Sequence, residues 1–139
     1  LAARNEERLT EKFLSVVGDA AHATWMDALE AAIDAYADFF RNEPGFASLR
    51  LGDVLDLRPA EGTPRNTVLA KVTFDALVER FGLADEPRAR LGFELALETA
   101  DALIARAFAR DAQGDTERLE AAREAVRRVL GAYVTLPGA

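Results

Sequence analysis

The sequence contains no cysteine and only one histidine, His22, among its 139 residues. The absence of cysteine excludes disulfides, thiolate metal sites and cysteine nucleophiles. A single histidine excludes sites that need two imidazole groups, such as most catalytic zinc sites and the paired Glu-x-x-His motifs of di-iron bundles. A globin is excluded as well, because its haem iron is bound by a histidine late in the chain. We therefore expect no metal ion and no cofactor.

Long apolar runs, basic surfaces and catalytic motifs are also lacking. No apolar run approaches the roughly 20 residues that cross a bilayer, and no signal-peptide pattern is present. The net charge of −7 repels the phosphate backbone of nucleic acids. The sequence has no nucleophile elbow, no glycine-rich phosphate loop and no histidine base near a serine. We expect a cytoplasmic protein that is not an enzyme, has no membrane partner and does not bind DNA through these residues.

Alanine is abundant, with 28 occurrences, and it is the residue that favours helices most. Between the glycine and proline positions, every segment has a helical period and none alternates as a strand does. The pattern predicts a single all-α domain of about six helices. Their predicted positions are about 1–17, 24–42, 46–55, 63–81, 86–110 and 115–134. Thr24, Thr63 and Asp115 are predicted N-caps, because their side-chain oxygens can accept hydrogen bonds from free backbone amides.

The fifth predicted helix is apolar on two opposed sides, so it has to be covered twice. The domain's own core supplies one cover, and a second copy of the chain could supply the other. The last helix carries a wide apolar arc that a terminal helix could not bury fully by itself. We therefore predict a two-fold homodimer in which the last two helices of each chain form a four-helix bundle. The candidate contact residues are Leu91, Leu95, Ala102, Ala105, Ala109, Leu119, Val126, Val129, Leu130 and Tyr133.

Three carboxylates, Glu94, Glu98 and Asp101, lie three or four residues apart on the fifth helix. Such a group can perform acid-base chemistry or bind a metal ion. The more ordinary interpretation is a solvated edge, or one paired with neighbouring arginines, and we favour it. We also expect His22 to be a loop or capping residue rather than a metal ligand.

Two segments resemble a known family. The segment AAIDAYADFFRNEPGFASL resembles a helix, a Pro-Gly break and a short helix in the C-terminal domain of TetR-family transcriptional regulators. The segment ALIARAFARDAQGDTERLEAAREAVRRVLGAYV resembles the last two helices of that domain. Regulators of this family have an N-terminal helix-turn-helix domain that binds DNA and a larger helical domain that dimerises and binds a ligand. The resemblance implies that the helix-turn-helix part is missing here and that DNA is bound only through it.

The resemblance also implies a ligand pocket, because in this topology the inner faces of the second to fifth helices converge. Aromatic residues usually form a solid core, but pockets between helices are lined by the same residue types, so both interpretations stay open. The candidate lining is Trp25, Tyr36, Phe40, Leu55, Val72 and Phe93. With no run of basic residues, the expected effector is a small apolar or aromatic molecule. The alternative is a stand-alone helical structural or protein-interaction module that has no ligand.

Overall fold

The computed structural model describes residues 2–19, 21–43 and 65–137, with side chains from residue 7 in the first helix and from residue 69 in the third. These residues form five α-helices and contain no strand. The helices are α1 (Ala2–Val17), α2 (Trp25–Asn42), α3 (Arg65–Phe81), α4 (Pro87–Arg110) and α5 (Thr116–Gly131). The all-α prediction is thus confirmed. The predicted helix at 46–55, the cap at Thr63 and the pocket residue Leu55 lie outside the described residues.

Local side-chain chemistry sets the helix ends. Thr24 Oγ1 accepts a hydrogen bond from the backbone amide of Asp27 at 3.1 Å, and an Asp115 carboxylate oxygen accepts one from that of Glu117 at 3.1 Å. Gly114 turns the chain between α4 and α5 with a φ of +90°, a value that favours glycine. The last helix ends three residues before the predicted position, at Gly131. It ends there as the chain tightens into a turn in which the amides of Ala132 and Tyr133 donate to the carbonyls of Val129 and Leu130, three residues back.

Helix α4 lies at the centre of the fold and packs against α2, α3 and α5, with α5 making the most extensive contact. Its inner face is almost fully buried. The buried residues of that face include Phe93, Ala96, Leu97, Ala100, Ile104 and Phe108. Gly92 allows the close approach of the segment that follows α5, because a Cβ at this position would lie 2.6 Å from Tyr133 Cβ. Among the described residues, no helix is both long enough and apolar enough to span a bilayer.

Two ion pairs connect α2 to α5. Arg123 Nε lies 2.9 Å from Asp34 Oδ1, and Arg127 Nε lies 2.6 Å from Glu30 Oε1. The paired residues are four positions, about one helical turn, apart on each helix, so the two ion pairs lie side by side. Because these side chains are between 25% and 51% exposed, solvent screens the pairs and each contributes little to stability. The pairs lie on the edge of α5 that faces α2 within the protomer.

A second charged network joins α3 to α4. The Arg90 guanidinium donates to both carboxylate oxygens of Asp85, at 2.7 and 2.9 Å, and to Asp75 at 2.8 Å. Lys71 Nζ lies 2.8 Å from the other oxygen of Asp75. Hydrogen bonds from Lys71 and Arg90 lower the pKa of Asp75, and the hydrogen bonds from Arg90 lower the pKa of Asp85. The guanidinium also lies 4.8 Å from the centre of the Phe74 ring.

Arg90→Met is expected to lower the free energy of unfolding at neutral pH, by an amount that shrinks below about pH 4. In the folded state the pKa values of Asp75 and Asp85 are depressed. Their ionised forms therefore stabilise the fold above the unfolded-state pKa, and this contribution disappears as the pH falls through the folded-state value. Urea denaturation at a series of pH values measures the difference. Arg128→Met, which removes one exposed pair with Glu124, is the control, and equal behaviour of both variants would contradict the prediction.

Candidate functional site

Among the described residues, the buried aromatic side chains form two clusters. Aromatic cluster A consists of Trp25, Phe74 and Phe93, from α2, α3 and α4. The ring centres of Trp25 and Phe93 are 5.6 Å apart, and those of Phe74 and Phe93 are 4.9 Å apart in an edge-to-face arrangement. All three residues are buried. Cluster A therefore joins three helices through favourable ring contacts.

Aromatic cluster B consists of Phe13, Tyr36, Phe40 and Phe108, from α1, α2 and α4. Tyr36 contacts the edges of its neighbours, with ring centres 6.3 Å from Phe13 and 5.4 Å from Phe40. Phe40 stacks on Phe108 at 5.1 Å. Tyr36 brings a hydroxyl group into this cluster, and a buried hydroxyl group needs a hydrogen-bond partner.

That partner is Asp101 on α4. The Tyr36 hydroxyl donates a hydrogen bond to Asp101 Oδ1, and both residues are only 4% exposed. The pair borders an internal cavity of about 10 Å³, a volume that is about the minimum for one water molecule. The other described walls are apolar and come from Phe13, Ile33, Leu97, Ala100 and Ile104. The arrangement places a polar hydrogen-bonding pair beside these apolar side chains.

The burial of Asp101 differs from the solvated position that is one of the two interpretations expected for the three carboxylates of this helix. Glu98 is exposed and Glu94 is half-buried, but Asp101 faces the interior. A signal for this was present in the sequence. Asp101 lies four residues after Leu97 and three before Ile104, so helical periodicity places it on the same face as two buried residues.

The predicted pocket residues separate between the two clusters. Trp25 and Phe93 contact each other in cluster A, and Tyr36 and Phe40 contact each other in cluster B. Val72 is half-buried on α3. The cavity borders Tyr36 but none of the other four. The described part of the chain therefore does not bring these residues to a single cavity.

Helix α3 contributes one further polar group to the interior. Thr73 is 1% exposed, and among the described residues its Oγ1 has no hydrogen-bond partner. A buried hydroxyl group without a partner costs roughly 1–3 kcal/mol. Sequence patterning did not single out Thr73, because a threonine within an apolar helical face carries no signal for an unsatisfied hydroxyl.

The outer side of α4 and α5 presents an apolar surface to solvent. Leu91 is 47% exposed, and Ala102 and Ala109 are exposed on the same side of α4. A groove of about 530 Å³ lies between the helices. Its described walls are Leu95, Glu98, Thr99, Val129, Ala132 and Tyr133. We call this region the outer α4–α5 face, comprising Leu91, Ala102, Ala109, the half-buried Leu119 and the groove residues.

Three residues predicted to contact a second copy lie elsewhere. Ala105, Val126 and Leu130 are all 0% exposed and belong to the core of the protomer. Val126 and Leu130 lie with Ala122 on the buried side of α5, and α5 packs extensively against α4. Their side chains therefore have no surface to offer a partner while the protomer keeps this packing. The other predicted contact residues remain at least partly accessible.

His22 lies in the connection between α1 and α2, as predicted, and one of its ring nitrogens is 2.8 Å from the Val16 carbonyl oxygen. Within residues 2–19, 21–43 and 65–137, no group of three or more histidine, aspartate or glutamate side chains is arranged to hold a metal ion. The imidazole thus contributes to the conformation of a loop.

Comparison with known proteins identifies the family. The sequence profile described as "Tetracyclin repressor-like, C-terminal domain" matches residues 23–134. The crystal structure of a TetR-family transcriptional regulator from Streptomyces coelicolor is similar, with a TM-score of 0.72 and 29% sequence identity over 96% of this chain and 70% of that chain. No curated protein matches the sequence. Because the profile covers most of the 139 residues, the chain belongs to the tetracyclin repressor-like C-terminal domain family.

Proposed function

We propose that this chain is the effector-binding and dimerisation domain of a TetR-like transcriptional repressor that acts in the cytoplasm and has no catalytic activity. The observation that carries the proposal is the family match over residues 23–134. In this proposal the 139 residues form one domain, and DNA is bound by a separate N-terminal domain. The similar Streptomyces coelicolor regulator supports this, since only 70% of its chain corresponds to the present one.

The proposed dimer uses the outer α4–α5 face. An exposed leucine and a groove of about 530 Å³ beside it would be covered by the same face of a second copy. Exposed Ala102 and Ala109 allow the partner helix to approach closely, because their side chains are small. A two-fold axis brings identical surfaces together, so a self-complementary apolar face favours this symmetry. An obligate interface of this type should bury more than roughly 2,000 Å² in total.

The proposed effector is a small molecule with an apolar or aromatic body that enters the helical interior. The Tyr36–Asp101 pair and the cavity beside it are the starting point for such a site. In this mechanism the effector binds more tightly to the dimer conformation that cannot bind DNA. It thereby shifts the population away from the operator-bound form by its difference in affinity for the two conformations.

Analytical ultracentrifugation of the unmutated chain tests the dimer. We expect a dimer at micromolar concentration, since an apolar interface of this size favours association. A monomer at that concentration would exclude the proposed assembly, and it would favour a stand-alone helical module. The part of the same gene that lies upstream of the codon for Leu1 provides an independent test. We expect it to encode a helix-turn-helix domain of roughly 50 residues.

Native mass spectrometry of the purified chain, followed by denaturing analysis of released small molecules, tests the effector. We expect a bound organic molecule, or stabilisation against heating by at least one class of apolar compound, because a ligand that binds only the folded state stabilises it. The absence of both, together with a monomeric chain, would overturn the proposed function as a whole.

A further inference from the structure

The hydroxyl group of Thr73 on α3 is buried without a hydrogen-bond partner among the described residues, and the side chain is only 1% exposed. A threonine within a helix can pair its hydroxyl by donating to the carbonyl four residues earlier. Thr99 on α4 does so, and its Oγ1 lies 2.8 Å from the Leu95 carbonyl oxygen. Thr73 does not make the corresponding bond to the carbonyl of Leu69. Its hydroxyl therefore keeps a free donor in the interior.

Thr73 lies in the middle of the buried face of α3, which packs against α1 and α4. Leu69 lies four residues before it and Leu77 four residues after it, and both are buried. The helical period places all three on one stripe. The next residue, Phe74, belongs to cluster A and contacts Phe93. A hydrogen bond formed in such surroundings is strong, because water does not compete for the hydroxyl.

A purely structural role does not account for this hydroxyl. Valine has the same branched shape and would fill the position without leaving a polar group unpaired. The hydroxyl of Thr73 thus destabilises the ligand-free fold and becomes favourable only in a state that supplies an acceptor. A bound ligand creates such a state. The acceptor has to be neutral, because burying a charge costs far more than a single hydroxyl group returns.

We propose that the Thr73 hydroxyl donates a hydrogen bond to a carbonyl oxygen of an uncharged effector with an apolar or aromatic body. This inference rests on the proposed function, because it names the polar group by which the effector is recognised. The walls of the cavity beside Tyr36 do not include Thr73. The ligand therefore has to displace side chains around Thr73, and the cost of this opening lowers the affinity. Because the hydroxyl is paired only when the ligand is bound, its bond favours the liganded conformation.

Thr73→Val tests whether the hydroxyl is unpaired in the free protein. We expect the melting temperature to rise by about 3 °C or more, because the variant removes an unsatisfied buried group. Thr24→Val is the matched control. Its hydroxyl caps α2 by accepting from the Asp27 amide, so the same change there should lower the melting temperature. A lower melting temperature for Thr73→Val would show that the hydroxyl has a partner and would overturn the proposal.

Two probes of nearly identical shape test the ligand class. Acetophenone carries a carbonyl group where α-methylstyrene carries a C=CH₂ group. Titrations followed by amide NMR signals measure the dissociation constant of each probe on the purified chain and its variants. Since water solvates the two probes differently, each is compared with itself between variants. We expect Thr73→Val to weaken acetophenone by about threefold or more and to leave α-methylstyrene unchanged or slightly tighter. Thr73→Ser keeps the hydroxyl and should keep most of the affinity for acetophenone.

The outcomes separate this inference from the proposed function. If Thr73→Val weakens both probes equally, or weakens neither, the hydroxyl does not recognise a carbonyl group and the inference is overturned. It is also overturned if Thr73→Ser loses acetophenone to the same extent as Thr73→Val, or if neither probe binds the unmutated chain. In each of these cases the proposed function is still judged separately, by the dimer and by co-purified molecules.

Discussion

Leu91→Glu is expected to dissociate the proposed dimer and to leave the protomer folded. Leu91 is 47% exposed in the protomer, so a glutamate at this position stays in water when the chain is monomeric. In the proposed dimer, the same change places a carboxylate from each copy against an apolar surface, where its desolvation costs several kcal/mol. We expect the dissociation constant to rise by roughly two or more orders of magnitude, since every 1.4 kcal/mol corresponds to a factor of ten.

Sedimentation equilibrium over a range of concentrations measures this change, with circular dichroism as the check on folding. The chain offers a closely matched control in Leu14 on α1, which is 44% exposed and does not belong to the outer α4–α5 face. Leu14→Glu should leave the dimer unaffected. The assignment of the interface would be wrong if Leu91→Glu remained fully dimeric, or if both variants dissociated to the same extent.

Val126→Glu is expected to unfold the protomer. Val126 lies on α5, is 0% exposed and belongs to the same buried core as Phe108 and Ala122. A glutamate there would bury an unpaired carboxylate, which typically costs about 3–5 kcal/mol. Because this cost is a large fraction of the stability of a typical domain, we expect loss of helical signal or a strongly lowered melting temperature.

Urea denaturation followed by circular dichroism measures the effect, alongside two controls. Val126→Ala removes two methyl groups from the same site and should cost about 2 kcal/mol. Val129→Glu places the same charge on the half-buried side of α5 that borders the outer groove, and it should weaken the dimer more than the fold. A fully folded monomer of Val126→Glu would contradict the burial of this residue in the protomer core.

Val126 is buried in the protomer core and Val129 borders the outer groove, although both belong to the apolar arc of α5. This contrast separates what the sequence determines from what the tertiary structure decides. The positions of the described helices follow from local chemistry, because caps such as Thr24 and Asp115 act within a single turn. The all-α class follows from the periodicity of apolar residues, and the family resemblance follows from two contiguous segments. The two apolar sides of α4 could also be predicted, since helical spacing determines which residues share a face.

Only the tertiary structure decided what each face packs against. The helical period identifies an apolar arc on α5 but not the surface that this arc packs against. In the structure, Val126 and Leu130 are buried in the protomer core, whereas Val129 and Tyr133 border the outer groove. The Tyr36–Asp101 bond joins residues that are 65 positions apart. Helical periodicity places Asp101 on the buried face of α4, but it does not identify the donor that helix packing brings close to this carboxylate. The free energy of a buried polar group depends on such distant partners, and the chain positions them only when the helices assemble.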